Sequence, residues 1–230
     1  MNIGAIADGV NKAKKLLRLA NIDFKINKSK ETNYLINKFS DEFFKMTKGI
    51  NYDETCKTAL ENADYDILLS DYSFFQFSCS KNVNNIRYAF YEHPRDIKSY
   101  EKFVRDIGFS LKETGEELYD EYEQYVDEAR LKKSITPIRY DYNIDLYEEL
   151  KHPSSHFHVG FENEIRIPVS NIITPQAFLG FIIRHIYRDK WIKALDNGRF
   201  YNYYERIKNS CSELDENYFT QEEKKLFYLI

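Results

Sequence analysis

The apolar spacing of this chain changes period four times, and that limits the folds open to it. Ile3, Ile6, Val10, Ala13, Leu17 and Ala20 recur at steps of three and four, which is one face of an amphipathic helix. From Tyr72 the period drops to two. Tyr72 to Cys79 (YSFFQFSC) and Ile86 to Tyr91 (IRYAFY) are aromatic and β-branched, and the polar SKNVNN between them reads as a hairpin connection. A chain that alternates between these periods has to bury one face of a sheet under helices. The expected class is α+β, an antiparallel sheet of about five strands in two hairpin or meander units. Helices from the N-terminal, middle and C-terminal parts should pack against it.

The other elements follow from the same rules. Leu35, Phe39, Phe43 and Met46 predict a helix over 31–47, and a shorter one is expected over 52–63. After Pro94 the spacing of Ile97, Tyr100, Val104 and Ile107 is helical, and Thr114-x-x-Glu117 reads as a capping box for a helix to Lys132. Ile138 to Asn143 alternates, with Arg139, Asp141 and Asn143 on the polar side. Ser155 to Phe161 puts Phe157, Val159 and Phe161 inward and His156 and His158 outward. A third strand, Ile165 to Val169, is expected to return through Glu162-Asn163-Glu164, with Val159 facing Ile167 and Arg166 on the histidine side. Thr174-Pro175 starts a long helix that ends near Gly198 in a left-handed stop, and helices over 199–210 and from Thr220-x-x-Glu223 complete the chain. The closing LFYLI is expected to dock on the body. No Pro/Gly/Ser linker interrupts the sequence, so residues 1–230 read as one domain, with a helical part (1–64), an α+β core (65–195) and C-terminal helices (196–230).

Composition excludes several functions. With 33 basic and 37 acidic side chains the net charge is −4, too little positive charge for broad wrapping of duplex DNA. No apolar run approaches the roughly 20 residues that cross a bilayer, and no basic leader precedes an apolar block. Three scattered cysteines make neither a disulfide framework nor a metal knuckle. A cytoplasmic protein is expected, with no membrane partner.

Three of the five histidines, His152, His156 and His158, fall in HPSSHFHVG. Two imidazoles two residues apart on a strand project to one side, and their ordinary pKa near 6.5 suits proton transfer at neutral pH. With Arg139 and Asp141 on one neighbouring strand and Arg166 on the other, the face holds two proton carriers, two cations and an orienting carboxylate. Those parts suffice for RNA cleavage without a metal or other cofactor: one histidine as base, the other as acid, and Arg139 or Arg166 stabilising phosphoryl charge. His152, Tyr147, Arg184 and Arg188 are the candidate substrate contacts. The same pair, with His152, Asp141 or a glutamate, equally suits zinc or another divalent first-row metal. A carboxylate-based nuclease on Asp141 and Glu164-x-Arg166 ranks third, because the lysine of such sites is missing. A purely structural use, in which the trio caps turns and holds the His152–Ser155 loop, stands ahead of these chemistries as the plain reading.

The strand YSFFQFS, then IRYAFYEHP, IRYDYN, HPSSHFHVG, RIPVS and TPQAFLGFIIRHIYRDKW together resemble the bacterial domain-of-unknown-function family numbered 2290, over roughly residues 65–195. That resemblance implies a bacterial protein and transfers no catalytic role. The RYD strand followed by His-x-His is more loosely similar to small toxin ribonucleases. The expected function is a metal-independent endoribonuclease acting as a toxin or phage-defence effector. Its partners are RNA, a protein partner or antitoxin, and a second copy of the chain. The alternatives are a non-catalytic protein-binding component of a defence system and a metal-dependent hydrolase.

Overall fold

The computed structural model describes residues 2–31, 33–49, 51–161 and 165–226. Helix α1 (Ile3–Leu19) is capped by the Asn2 side chain and leads into a short edge strand, β1 (Phe24–Ile26). A 3-10 turn (Ile36–Lys38), α2 (Asp41–Met46) and α3 (Tyr52–Glu61) follow, then β2 (Ile67–Leu69), β3 (Phe74–Cys79) and β4 (Asn85–Tyr91). The helices α4 (Tyr100–Asp106), α5 (Leu111–Thr114) and α6 (Tyr119–Glu128) separate β4 from β5 (Ile138–Asn143). Strands β6 (Ser155–Val159), β7 (Ile167–Pro168) and β8 (Asn171–Ile172) precede α7 (Pro175–His185), α8 (Arg188–Leu195), α9 (Gly198–Lys208), β9 (Ser212–Glu213) and α10 (Gln221–Leu226).

The sheet is a seven-stranded antiparallel meander in chain order, β1 to β7, with β8 and β9 paired separately. The class is therefore α+β as expected, and the additional strands include β1 and β2, each only three residues long. Three residues are too few to show an alternation.

One face of the sheet carries Phe75, Phe77, Tyr88, Phe90, Tyr140 and Phe157, packed on α1, α7 and α9 through Leu16, Phe178, Leu179, Ile182, Ile183 and Phe200. Helices α1 and α7 meet closely at Gly9, where a Cβ would stand 2.7 Å from the Pro175 ring. The opposite face has its own smaller core: α2 and α3 bring Phe43, Tyr52, Cys56 and Ala59 onto Phe74, with Phe39 from the end of the 3-10 turn and Tyr91 and Phe161 beside them. The sheet is thus covered on both sides, and the histidine side is not open solvent.

Several local expectations are corrected. The helix over 31–47 reduces to α2, because Ser40 has an extended backbone and its hydroxyl caps Phe43 N–H; Phe39 reaches the small core from the end of a 3-10 turn. The capping box is formed by Ser110 and Glu113 rather than Thr114 and Glu117, and Gly115 at φ 54° ends that turn before α6 begins. The helix from Thr174 breaks after His185, and Gly198 opens α9 under an Asn197 cap instead of closing the previous helix. Strand β7 spans Ile167–Pro168, and Ile167 faces Phe157, not Val159. Gly160, at φ 95°, ends the alternation of β6 and sends Phe161 to the small core, 5.1 Å edge-on to Tyr52. The linker Glu162-Asn163-Glu164 and the terminal residues 227–230 lie outside the described residues. The Thr220/Glu223 capping box is present: each accepts the other's backbone N–H.

Candidate functional site

The registers bring the polar sides of three strands together. Antiparallel pairing sets Arg87 opposite Asp141, Asp141 opposite His156, and Arg139 opposite His158. Arg166 comes one residue before β7; the observed register continues to His158, whereas the expected one would have set Arg166 opposite Gly160. Every second residue of a strand shares a face, so these side chains meet on the side of the sheet away from α7.

Their contacts are close. The Nε2 atoms of His156 and His158 lie 2.9 Å apart, and His158 Nε2 is 3.5 Å from Asp141 Oδ2. His156 Nδ1 is 2.9 Å from the Pro153 carbonyl, which can only accept, so Nδ1 carries the hydrogen. In the neutral ring, Nε2 then presents its lone pair to His158. Burial, followed by the neighbouring His158, pushes the His156 pKa down to about 4, so the ring is neutral at pH 7. Burial by itself would raise the Asp141 carboxyl. The hydrogen bond from His158 and the guanidinium groups of Arg87 and Arg139 outweigh it and hold the group well below the ordinary carboxylate range. Arg87 Nε donates to Oδ1 at 3.0 Å and Arg139 Nε to Oδ2 at 2.9 Å. One ligating atom each from Asp141, His156 and His158 falls within 4.8 Å of the others.

The histidines are buried, at 2% and 8% exposure, whereas the two arginine side chains are 48% and 39% exposed. Access is therefore from the arginine side. His152 lies beside the pair, its ring 5.2 Å from that of His156, with a buried Nδ1 that takes no hydrogen-bond partner among the described residues. Surface clefts lie elsewhere on the molecule, one of about 500 Å³ lined by Arg18, Phe24 and Lys28. A coordination site requires converging donor atoms rather than volume, so the histidine cluster is the better candidate.

The proposed substrate contacts do not all gather here. Tyr147 donates to Glu223 and packs edge-on to Tyr218, which commits it to holding α10. Arg184 stacks over Trp191 and Arg188 begins α8, both in the helical layer beyond the opposite face of the sheet. Arg87 is the residue that the sequence reading passed over. Its signal was the alternation of IRYAFY, which puts Arg87 and Ala89 on one side, but only the β4–β5 pairing across three intervening helices shows what it faces.

The match to a family model described as an uncharacterized conserved protein, DUF2290, covers residues 17–230. The chain belongs to the DUF2290 family. No curated protein and no solved structure matches this DUF2290 chain. Among its described residues no helix is long and apolar enough to cross a membrane.

Proposed function

We propose that this DUF2290 chain is a metal-dependent hydrolase in which Asp141, His156 and His158 hold one divalent first-row metal ion. The observation that carries the reading is the convergence of two Nε2 atoms and a carboxylate oxygen within 4.8 Å. Imidazole and carboxylate donors suit zinc, manganese, iron or nickel. Two metal–nitrogen bonds of about 2.1 Å span about 3 Å at an octahedral right angle and about 3.4 Å at the tetrahedral angle of zinc, so the present separation of 2.9 Å matches an octahedral ion more closely. The surroundings also support it: ligating histidines characteristically donate their other N–H to a carbonyl, and ligating carboxylates are themselves hydrogen-bonded. His156 does the first with Pro153, and Asp141 does the second with Arg87 and Arg139. Three protein ligands leave coordination positions for water, and a bound metal brings the pKa of such a water near 7, supplying a nucleophile for hydrolysis.

The same short contact weighs against two-histidine acid–base cleavage of RNA. That scheme needs one ring on the attacking oxygen and the other on the leaving oxygen, with the phosphorus between them. Two nitrogens 2.9 Å apart leave no space for it.

The test is elemental analysis of protein purified without a histidine tag, combined with hydrolysis of a generic phosphodiester. Near-stoichiometric metal, activity abolished by chelator, and metal affinity lowered at least about tenfold in His156→Gln and His158→Gln are expected. Ribonuclease activity that survives chelator would replace this reading with the metal-free one. Histidine variants that bind no metal, cleave nothing and behave as wild type in cells would leave the protein-binding role.

A further inference from the structure

We propose that the exposed ends of Arg87 and Arg139 form a clamp for a phosphoryl group, which makes the substrate of the centre a phosphate ester. This use of the clamp rests on the metal reading of the same site, but the clamp itself can be measured without any metal.

Three observations carry it. First, both guanidinium groups touch Asp141 through Nε alone, Arg87 on Oδ1 and Arg139 on Oδ2. The carboxylate therefore fixes the base of each group, and among the described residues the terminal nitrogens of neither arginine take a hydrogen-bond partner. Two Nη donors in one rigid plane match two oxygens of a phosphate, and they do so without reorganisation because the Nε contact has already set the orientation. Second, the charges do not balance. Among the described residues one carboxylate offsets one guanidinium, the neighbours Ser78, Ala89 and Asn143 are neutral, and Arg166, beyond the histidines, adds no negative charge. A structural ion pair requires a single cation, so the second arginine leaves surplus positive charge at the mouth of the site. Third, the placement is right for chemistry. The arginines are 48% and 39% exposed, whereas the histidines beneath are buried, so an anion arriving from solvent meets the guanidinium groups first and lies next to Asp141. A guanidinium pair beside a developing phosphoryl charge also stabilises the transition state of its hydrolysis.

The clamp is compact. Two arginines from adjacent strands span one phosphoryl group rather than a length of backbone, in keeping with a chain of net charge −4.

The experiment is calorimetric titration of inorganic phosphate into the full chain in the presence of chelator, with acetate as the control anion and thermal unfolding as the check on folding. Phosphate should bind the wild type more tightly than acetate does. The double variant Arg87→Gln, Arg139→Gln should weaken phosphate roughly tenfold or more, and each single lysine variant should lose less, since lysine keeps the charge but not the fork. A separate manganese titration of the chelator-free wild type tests the metal centre on its own. Equal phosphate affinity in wild type and double variant, or equal affinity for acetate, overturns the clamp and leaves the metal centre standing. Phosphate binding that depends on the arginines in a protein that takes no manganese, zinc or iron would uphold the clamp and overturn the metal reading.

Discussion

His93 shows how one side chain can record its surroundings as a pH dependence. It lies two residues past β4 at 6% exposure, its Nδ1 accepts the Arg95 N–H, and its ring lies 5.9 Å from that of Tyr72. Burial lowers its pKa below the ordinary 6.5. Above 6.5 the ring is neutral in both folded and unfolded chains and has no effect; below it the unfolded chain takes the proton first. The stability present at neutral pH is therefore lost as the pH falls from 6.5 through the depressed folded value. Thermal midpoints recorded between pH 8 and pH 5 should decline on the acid side, and His93→Gln should flatten that decline; an unchanged slope would remove His93 from the account. At this scale much of the candidate site was readable. His156, His158, Asp141 and Arg139 have residue types and a two-residue spacing that mean the same thing in any antiparallel sheet. Arg87 was not readable, because a cross-strand partner some fifty positions away leaves no local mark, and neither was the burial of the imidazoles.

Single elements show where periodicity misleads. Leu35, Phe39, Phe43 and Met46 keep helical spacing, yet only the last two lie in α2; the small core takes aromatics from a loop as readily as from a helix. Gly160 ended an alternation that the residue letters alone would continue to Phe161. The last helix is the opposite case, since its cap was visible and its docking was not. Glu223, at 1% exposure, accepts from Thr220 N–H, Leu150 N–H and the Tyr147 hydroxyl, and so ties α10 to the loop after β5. Glu223→Ala leaves those donors without their acceptor and should cost about 1–3 kcal/mol. Urea unfolding checks the magnitude, and limited proteolysis should cut the C-terminal segment sooner in the variant. A change within about 0.5 kcal/mol, typical of a plain surface position, would deny Glu223 this part.

For the whole molecule the decisive fact is a sheet covered on both faces. The larger core is organised around Phe178, whose ring lies within 6.4 Å of those of Phe75, Phe77, Tyr88 and Phe157. Phe178→Ala should cost about 3–5 kcal/mol and lower the calorimetric midpoint by roughly 10 °C for a chain of this size. A shift of only a degree or two would mean that the aromatic array repacks around the gap. The sequence by itself determined the class, the four changes of period, the principal strands and the gathering of histidine, arginine and aspartate on the polar side of neighbouring strands, because hydrophobic spacing and residue type act over a few neighbours. Only the tertiary structure decided that β4 lies against β5, that Arg87 shares Asp141 with Arg139, and that α2 and α3 close the second face. Strand pairing and burial arise from contacts between segments far apart in the chain, so the proximity of two nitrogens to a carboxylate belongs to the packed sheet and not to any stretch of the sequence.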